Sequence, residues 1–220
     1  MKKTEAVRAI NQHGMLLVFP AGNLPEPKSL WSVFYPRSKM RWEWDESGDN
    51  RVSNLWHMRE KLSRSNQVIY AKWFRGRATL FSFELFRALL SVYMRQSKFH
   101  ALSRTAREIL TQLEENSPQS TKQIKRQSGL IGRALEPNYN KAMQELWSRM
   151  LIVAYGEVEE GAFPSLAIGS THLLFEDLYL AAQALPPNLA ENTLAKYFSR
   201  SSLLEKQHQK VLTKLLHAQT

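Results

Sequence analysis

The 220-residue chain contains no cysteine. That excludes disulfides, thiol nucleophiles and cysteine-based zinc sites together. No apolar run approaches the length of a membrane span, so no membrane partner is expected. There is no phosphate-cradling glycine loop and no nucleophile elbow. The six histidines (His13, His57, His100, His172, His208 and His217) show no metal-ligand spacing, and the expectation is no metal and no cofactor. Met1-Lys2-Lys3 starts like a secretion signal, but Thr4, Glu5, Arg8, Asn11 and Gln12 interrupt any apolar region behind it, so a cytoplasmic protein is expected. Internal repeats and low-complexity tracts are absent.

Negative charge is scarce in one place. Residues 51–100 hold 10 basic and 2 acidic side chains, which is most of the chain's net charge of +10. A positive field this localised favours polyanions over other partners. Glu84 is the only acid between Lys61 and Lys98. Arg59, Lys61, Arg64, Lys72, Arg75, Arg77, Arg87 and Arg95 are interleaved with Trp56, Tyr70, Trp73, Phe74 and Phe81. Cationic side chains track phosphates while aromatic faces stack on bases. The same pattern also describes a core of aromatics with a solvated reverse face. Arg59, Arg64, Lys72, Arg75 and Arg77 are the candidate phosphate ligands of this segment. The glycine between Arg75 and Arg77 lets a turn approach a backbone closely.

The order of elements points to a fold. Residues 4–13 read as a short amphipathic helix, Met15–Phe19 as a buried strand, and Ser29 as the cap of a helix stopped by Pro36. A helix near Asn54–Ser63 precedes two strands, Val68–Phe74 and Arg77–Phe81, and a strongly periodic helix after Ser82. From Ser103 to Gly169 three helical patterns are followed by a hairpin. The first spans about Arg104 to Glu114. Ser120-Thr121-Lys122-Gln123 fits a capping box for the second. The third begins near Pro137 and carries an apolar stripe of Tyr139, Ala142, Met143, Leu146, Trp147 and Met150. Leu151–Val158 and Ser165–Ile168 form the hairpin. That succession reads as a winged helix-turn-helix. The expected fold is mainly α with short β-hairpins (α+β). Its expected parts are a basic, aromatic domain at 1–98, a winged helix at 99–170 and a helical extension at 171–220.

The third helix is the candidate groove reader. With its stripe inward, Lys141, Gln144 and Ser148 face out, flanked by Asn138 and Glu145. Gln can pair bidentately with adenine, and Lys suits guanine or phosphate. Two features oppose this. Glu145 would repel a phosphate backbone, and the hairpin tip offers Glu157, Glu159 and Glu160. A solvated amphipathic helix in a protein-interaction module is the competing reading.

Trp42-Glu43-Trp44-Asp45 alternates ring and carboxylate. On a strand it places two indoles on one face and two acids on the other. That suits a base-accepting pocket beside an acid. A half-buried strand whose acids pair with Lys39 or Arg41 is the simpler reading. Trp42, Trp44 and Trp73 are the candidate stacking rings, and Glu43, Asp45 and Glu84 the candidate acids. Glu84 also fits simple dipole complementation in a first helical turn.

Leu16-Leu17-Val18-Phe19-Pro20, Ser29-Leu30-Trp31, Trp42-Glu43-Trp44-Asp45, Val68-Ile69-Tyr70-Ala71-Lys72, Phe74-Arg75-Gly76-Arg77, Leu102-Ser103 and Leu151-Ile152-Val153 occur in this order. Across roughly residues 10–185 the chain resembles the AlkZ-related proteins, relatives of the AlkZ/YcaQ winged-helix DNA glycosylases. The resemblance implies winged-helix units and double-stranded DNA as partner. The parent glycosylases use a Gln-x-Gln or Gln-x-Asp motif. The only Gln-x-Gln here is Gln207-His208-Gln209, in the last helix and outside the resembling region, so no catalytic residue is carried over. The expectation is a non-enzymatic DNA-binding protein, a degenerate relative of repair enzymes. The alternatives are a glycosylase removing alkylated bases and a protein-interaction module. In the last helix, Leu204, Val211, Leu212 and Leu215 are a candidate seam for self-association.

Overall fold

The computed structural model describes residues 2–22, 26–40, 50–96, 102–158, 164–200 and 202–217. In chain order the elements are α1 (Lys3–His13), β1 (Met15–Leu17), α2 (Leu30–Phe34), α3 (Asn50–Ser63), β2 (Ile69–Ala71), β3 (Thr79–Phe81), α4 (Phe83–Gln96), α5 (Arg104–Glu115), β4 (Gln119–Ser120), α6 (Thr121–Gln127), α7 (Glu136–Ser148), β5 (Ile152–Val158), β6 (Ser165–Ser170), α8 (Thr171–Leu174), α9 (Glu176–Ala184), α10 (Pro187–Tyr197) and α11 (Leu203–His217). The architecture is mixed, mainly helical, with one six-stranded antiparallel sheet in the order β1-β3-β2-β5-β6-β4. No described helix is long and apolar enough to cross a membrane.

Local chemistry sets the helix starts. Ser29, Ser103 and Ser120 each accept a backbone N–H from the first turn of α2, α5 and α6. At α6 the expected capping box is complete: the Gln123 N–H donates to the Ser120 hydroxyl at 3.0 Å, and the Ser120 N–H donates to the Gln123 amide oxygen at 2.7 Å. Ser82 does the same for α4 through the Leu85 N–H. Ala106, Ile109, Leu110 and Leu113 of α5 then face Tyr139, Ala142, Met143, Leu146 and Trp147 of α7, all buried.

The strands β2 and β3 are shorter than the sequence pattern implies. The backbone leaves the ladder at Lys72 and closes a tight turn at Phe74–Arg77. Arg75 and Gly76 have φ of +50° and +72°, and the Arg77 N–H donates to the Phe74 carbonyl at 2.9 Å. Two successive residues at positive φ are the mark of a type I′ turn. The two-residue strand β4 has too little hydrophobic pattern to be read from sequence; it pairs with Ala167 and Ile168 of β6.

One sheet takes strands from β1 to β6. Its two halves meet where Tyr70 of β2 pairs with Ala154 of β5. Strand β5 therefore lies inside the sheet instead of standing out as a free wing. Three interactions from α3 and the residue that follows it reinforce the junction. The buried Arg59 guanidinium pairs with the Glu157 carboxylate, the Gly156 N–H donates to the Ser63 hydroxyl at 2.9 Å, and Arg64 donates to the Glu157 carbonyl. A β-bulge between Ala154 and Glu157 makes room for this. Gly156 within it has φ +78°, and a Cβ there would collide with the Arg64 side chain. One hydrophobic core runs from Ile10 through Phe81, Leu89, Leu110 and Leu146 to Leu215. Val211 and Leu215 of α11 are buried in it and Leu204 and Leu212 pack against it, so the proposed seam faces the protein's own core.

Removing one partner of a buried ion pair leaves the other charge unpaired, which costs about 3–5 kcal/mol, whereas an apolar pair of similar volume is tolerated. Arg59→Met is expected to lower the urea midpoint sharply, and Arg59→Met with Glu157→Leu to recover most of the loss. Equal losses in the single and double variants would show that the pair does not hold the junction.

Candidate nucleic-acid interface

A cleft of about 510 Å³ opens between the β2–β3 turn and the outward face of α7. Lys72 and Gly76 line it from one side, Asn140, Lys141 and Gln144 from the other, and Thr121 at the start of α6 contributes to its wall. Arg75, Gly76 and Arg77 are exposed, and a Cβ at Gly76 would meet nothing within 4 Å. A phosphate backbone can thus approach the turn without obstruction. Arg75 rests over the buried Phe74 ring at 5.3 Å, and Arg77 donates a long bond of 3.4 Å to the Pro20 carbonyl. Burial, with the Arg59 guanidinium nearby, pulls the Lys72 ammonium below the usual lysine range.

The cleft brings together three of the expected ligands, Lys72, Lys141 and Gln144, with the turn that carries Arg75 and Arg77. Asn138 is exposed in the first turn of α7. Ser148 is half-buried and its hydroxyl donates back to the Glu145 carbonyl at 2.9 Å. The carboxylates that argued against a polyanion are used inside the molecule. Glu145 accepts the Ser103 hydroxyl at 2.7 Å and Arg149 at 2.8 Å, and Glu157 is held by Arg59. Glu159 and Glu160 lie outside the described residues.

The other expected site residues lie elsewhere. Arg59 is 5 % exposed and sandwiched near Trp56 and Tyr70, with ring distances of 3.9 and 5.7 Å, so it serves the sheet junction and cannot meet a phosphate in this conformation. Arg64 is exposed but bound to Glu60 at 2.6 Å and to the Glu157 carbonyl. Trp73 is 1 % exposed and stacked on Phe198, so no base can reach its face. In the basic segment Trp56, at 41 % exposure, is the open ring, but it does not line the cleft. Glu84 accepts the Tyr197 hydroxyl at 2.5 Å and Lys196 at 2.9 Å. Those bonds hold its carboxyl below the usual range, the opposite of what a general acid needs; it braces α4 to α10. Trp42, Glu43, Trp44 and Asp45 lie outside the described residues, as does Lys98. Among the described residues no group of three acids or histidines could hold a metal.

A family model described as AlkZ related matches residues 2–217. The chain belongs to the AlkZ-related family. Neither a curated protein nor a solved structure matches it. The AlkZ-related match takes in α11, beyond the stretch where scattered words carry the resemblance, and with it Gln207-His208-Gln209. In this AlkZ-related protein those residues dock the helix. The Gln207 amide donates to the Trp73 carbonyl at 3.0 Å, and Gln209 bonds Glu205 within α11. The Trp73 indole N–H, which can only donate, reaches the Tyr93 hydroxyl at 3.2 Å, leaving the Tyr93 proton for His208 Nδ1 at 3.0 Å. Tyr139 and Asn140 were missed as cleft residues; the spacing of Asn140 four before Gln144 was the available signal.

Burial lowers the His208 pKa from its ordinary 6.5, with Glu205 opposing. The folded state thus prefers neutral His208. Stability from this group is complete above pH 6.5 and is lost as pH falls through the lower folded value. Denaturation between pH 7.5 and 5.5 is expected to show a fall that His208→Asn flattens. Parallel pH profiles for the two proteins would contradict the assignment.

Proposed function

We propose that the protein is a DNA-binding member of its family that seats a duplex on the cleft between α7 and the Arg75-Gly76-Arg77 turn. The observation that carries this reading is convergence. Lys72 and the turn come from the N-terminal half, Lys141 and Gln144 from the C-terminal half, and the shared sheet brings them to one concavity. The succession α5-β4-α6-α7-β5-β6, with β4 paired to β6, supports reading this part as a winged helix-turn-helix with α7 as its groove-reading helix. In that arrangement residues 99–170 form the winged-helix unit. Arg75 and Arg77 contact phosphates, and Lys141 and Gln144 reach base edges. The neutralisation of Glu145 and Glu157 by Arg149 and Arg59 supports the same reading, because it removes repulsion from the neighbourhood of the helix.

Family membership supports a role connected with DNA repair. Glycosylase activity is the second reading. It needs a group to activate water near the scissile bond, and among the described residues no carboxylate lines the cleft.

Each phosphate contact contributes about 0.9 to the slope of log K against log salt. Arg75→Ala with Arg77→Ala is expected to weaken duplex binding and to flatten that slope by about 2. An unchanged slope would remove the turn from the interface. A wild-type protein with no duplex affinity at low salt would end the proposal.

A further inference from the structure

Lys72 differs from every other cation at the cleft. Arg75, Arg77 and Lys141 are exposed, as suits phosphate contact. Lys72 is half-buried and, among the described residues, has no carboxylate ion pair or hydrogen bond. Its main chain is fixed, since Ala71 before it is buried on β2 and Trp73 after it is buried in the core. Lys72 lines the cleft together with Gly76 and Gln144. Tyr139, also in the wall, keeps a hydroxyl with no partner among the described residues. Burial pushes Tyr139 up to about 12, so it stays an O–H donor at neutral pH. Taking a lysine partly out of water favours its neutral form, and the neutral amine is a nucleophile.

The duplex reading supplies the electrophile. Intact DNA presents phosphates, sugars and base edges, none of which an amine attacks readily. A sugar that has lost its base is different, because its ring-opened form carries an aldehyde at C1′.

We propose that Lys72 forms an imine with the C1′ aldehyde of a base-less sugar held in the cleft between α7 and the Arg75 turn. This rests on the duplex reading. The lone pair of Nζ adds to C1′, the carbonyl π pair moves to oxygen, and a proton passes from nitrogen to that oxygen. The remaining N–H proton passes to the departing hydroxyl, which leaves as water while the nitrogen lone pair forms the C=N bond. Amine and aldehyde give imine and water, with no oxidant or reductant consumed. The chemistry makes the protein a covalent captor of abasic DNA and needs no base-excising step of its own.

The full-length protein is incubated with a duplex carrying one abasic site, with and without cyanoborohydride, which reduces an imine to a stable amine. Binding is measured in the sample without reductant, and the covalent band is divided by the bound fraction. Wild type is expected to give an adduct that maps to Lys72. Lys72→Arg, which keeps the charge, is expected to lose at least tenfold of the adduct per bound duplex. A wild type that binds the abasic duplex without forming adduct overturns the imine alone. So does an adduct undiminished in Lys72→Arg. A wild type that binds no duplex overturns the imine together with the duplex reading.

Discussion

The Arg59–Glu157 ion pair sits at the place where two halves of this chain become one sheet. A single ladder contact, Tyr70 to Ala154, is a weak join between β2 and β5. The α3 helix and the residue after it secure it by placing Arg59, Ser63 and Arg64 on the bulged segment of β5. Two charges taken out of water demand good geometry and mutual satisfaction. The bulge and Gly156 provide the geometry, and the Trp56 and Tyr70 rings enclose the guanidinium. Everything about the cleft depends on this, because the cleft has one wall on each side of the join.

The positive charge of the central segment is thereby divided between two uses. Arg59 and Arg64 are committed to the sheet. Lys72 lines the cleft with Lys141, and Arg75 and Arg77 are exposed on the turn whose Gly76 lines it. The acids are divided in the same way: Glu145 accepts the Ser103 hydroxyl and holds Arg149, Glu157 holds Arg59, and Glu84 holds Lys196. Among the residues that line the cleft, Lys72 and Lys141 are the charged ones and both are cationic, although carboxylates stand nearby in sequence.

Much of the helical fold was legible. Serine caps, the Pro137 start and the 3.6-residue stripes of α4, α5 and α7 are local signals, and they locate these helices to within a few residues. The sheet order was not legible. Strands of two or three residues carry almost no periodicity, and the pairing of β2 with β5 joins residues far apart in the chain. The same distinction explains the site. Lys141 and Gln144 follow from helix periodicity, and the turn follows from Arg-Gly-Arg. Arg59 and Trp73 read as ligands from composition alone, since a basic or aromatic residue looks the same whether it faces solvent or the core. Glu157 read as a repulsive wing tip because its partner lies in α3. Gln207-His208-Gln209 resembles the parent motif in letters, yet its contacts with Trp73 and Tyr93 belong to helix docking.

The central claim is that one short duplex touches both walls of the cleft at once. A photo-crosslinking amino acid placed at position 76 in one variant and at position 144 in another tests it directly. The account predicts that both variants crosslink the same duplex, within one turn of each other along its strands, and that competitor duplex suppresses both. Crosslinking from neither position, while binding persists, would place the nucleic acid elsewhere on the protein and contradict the account.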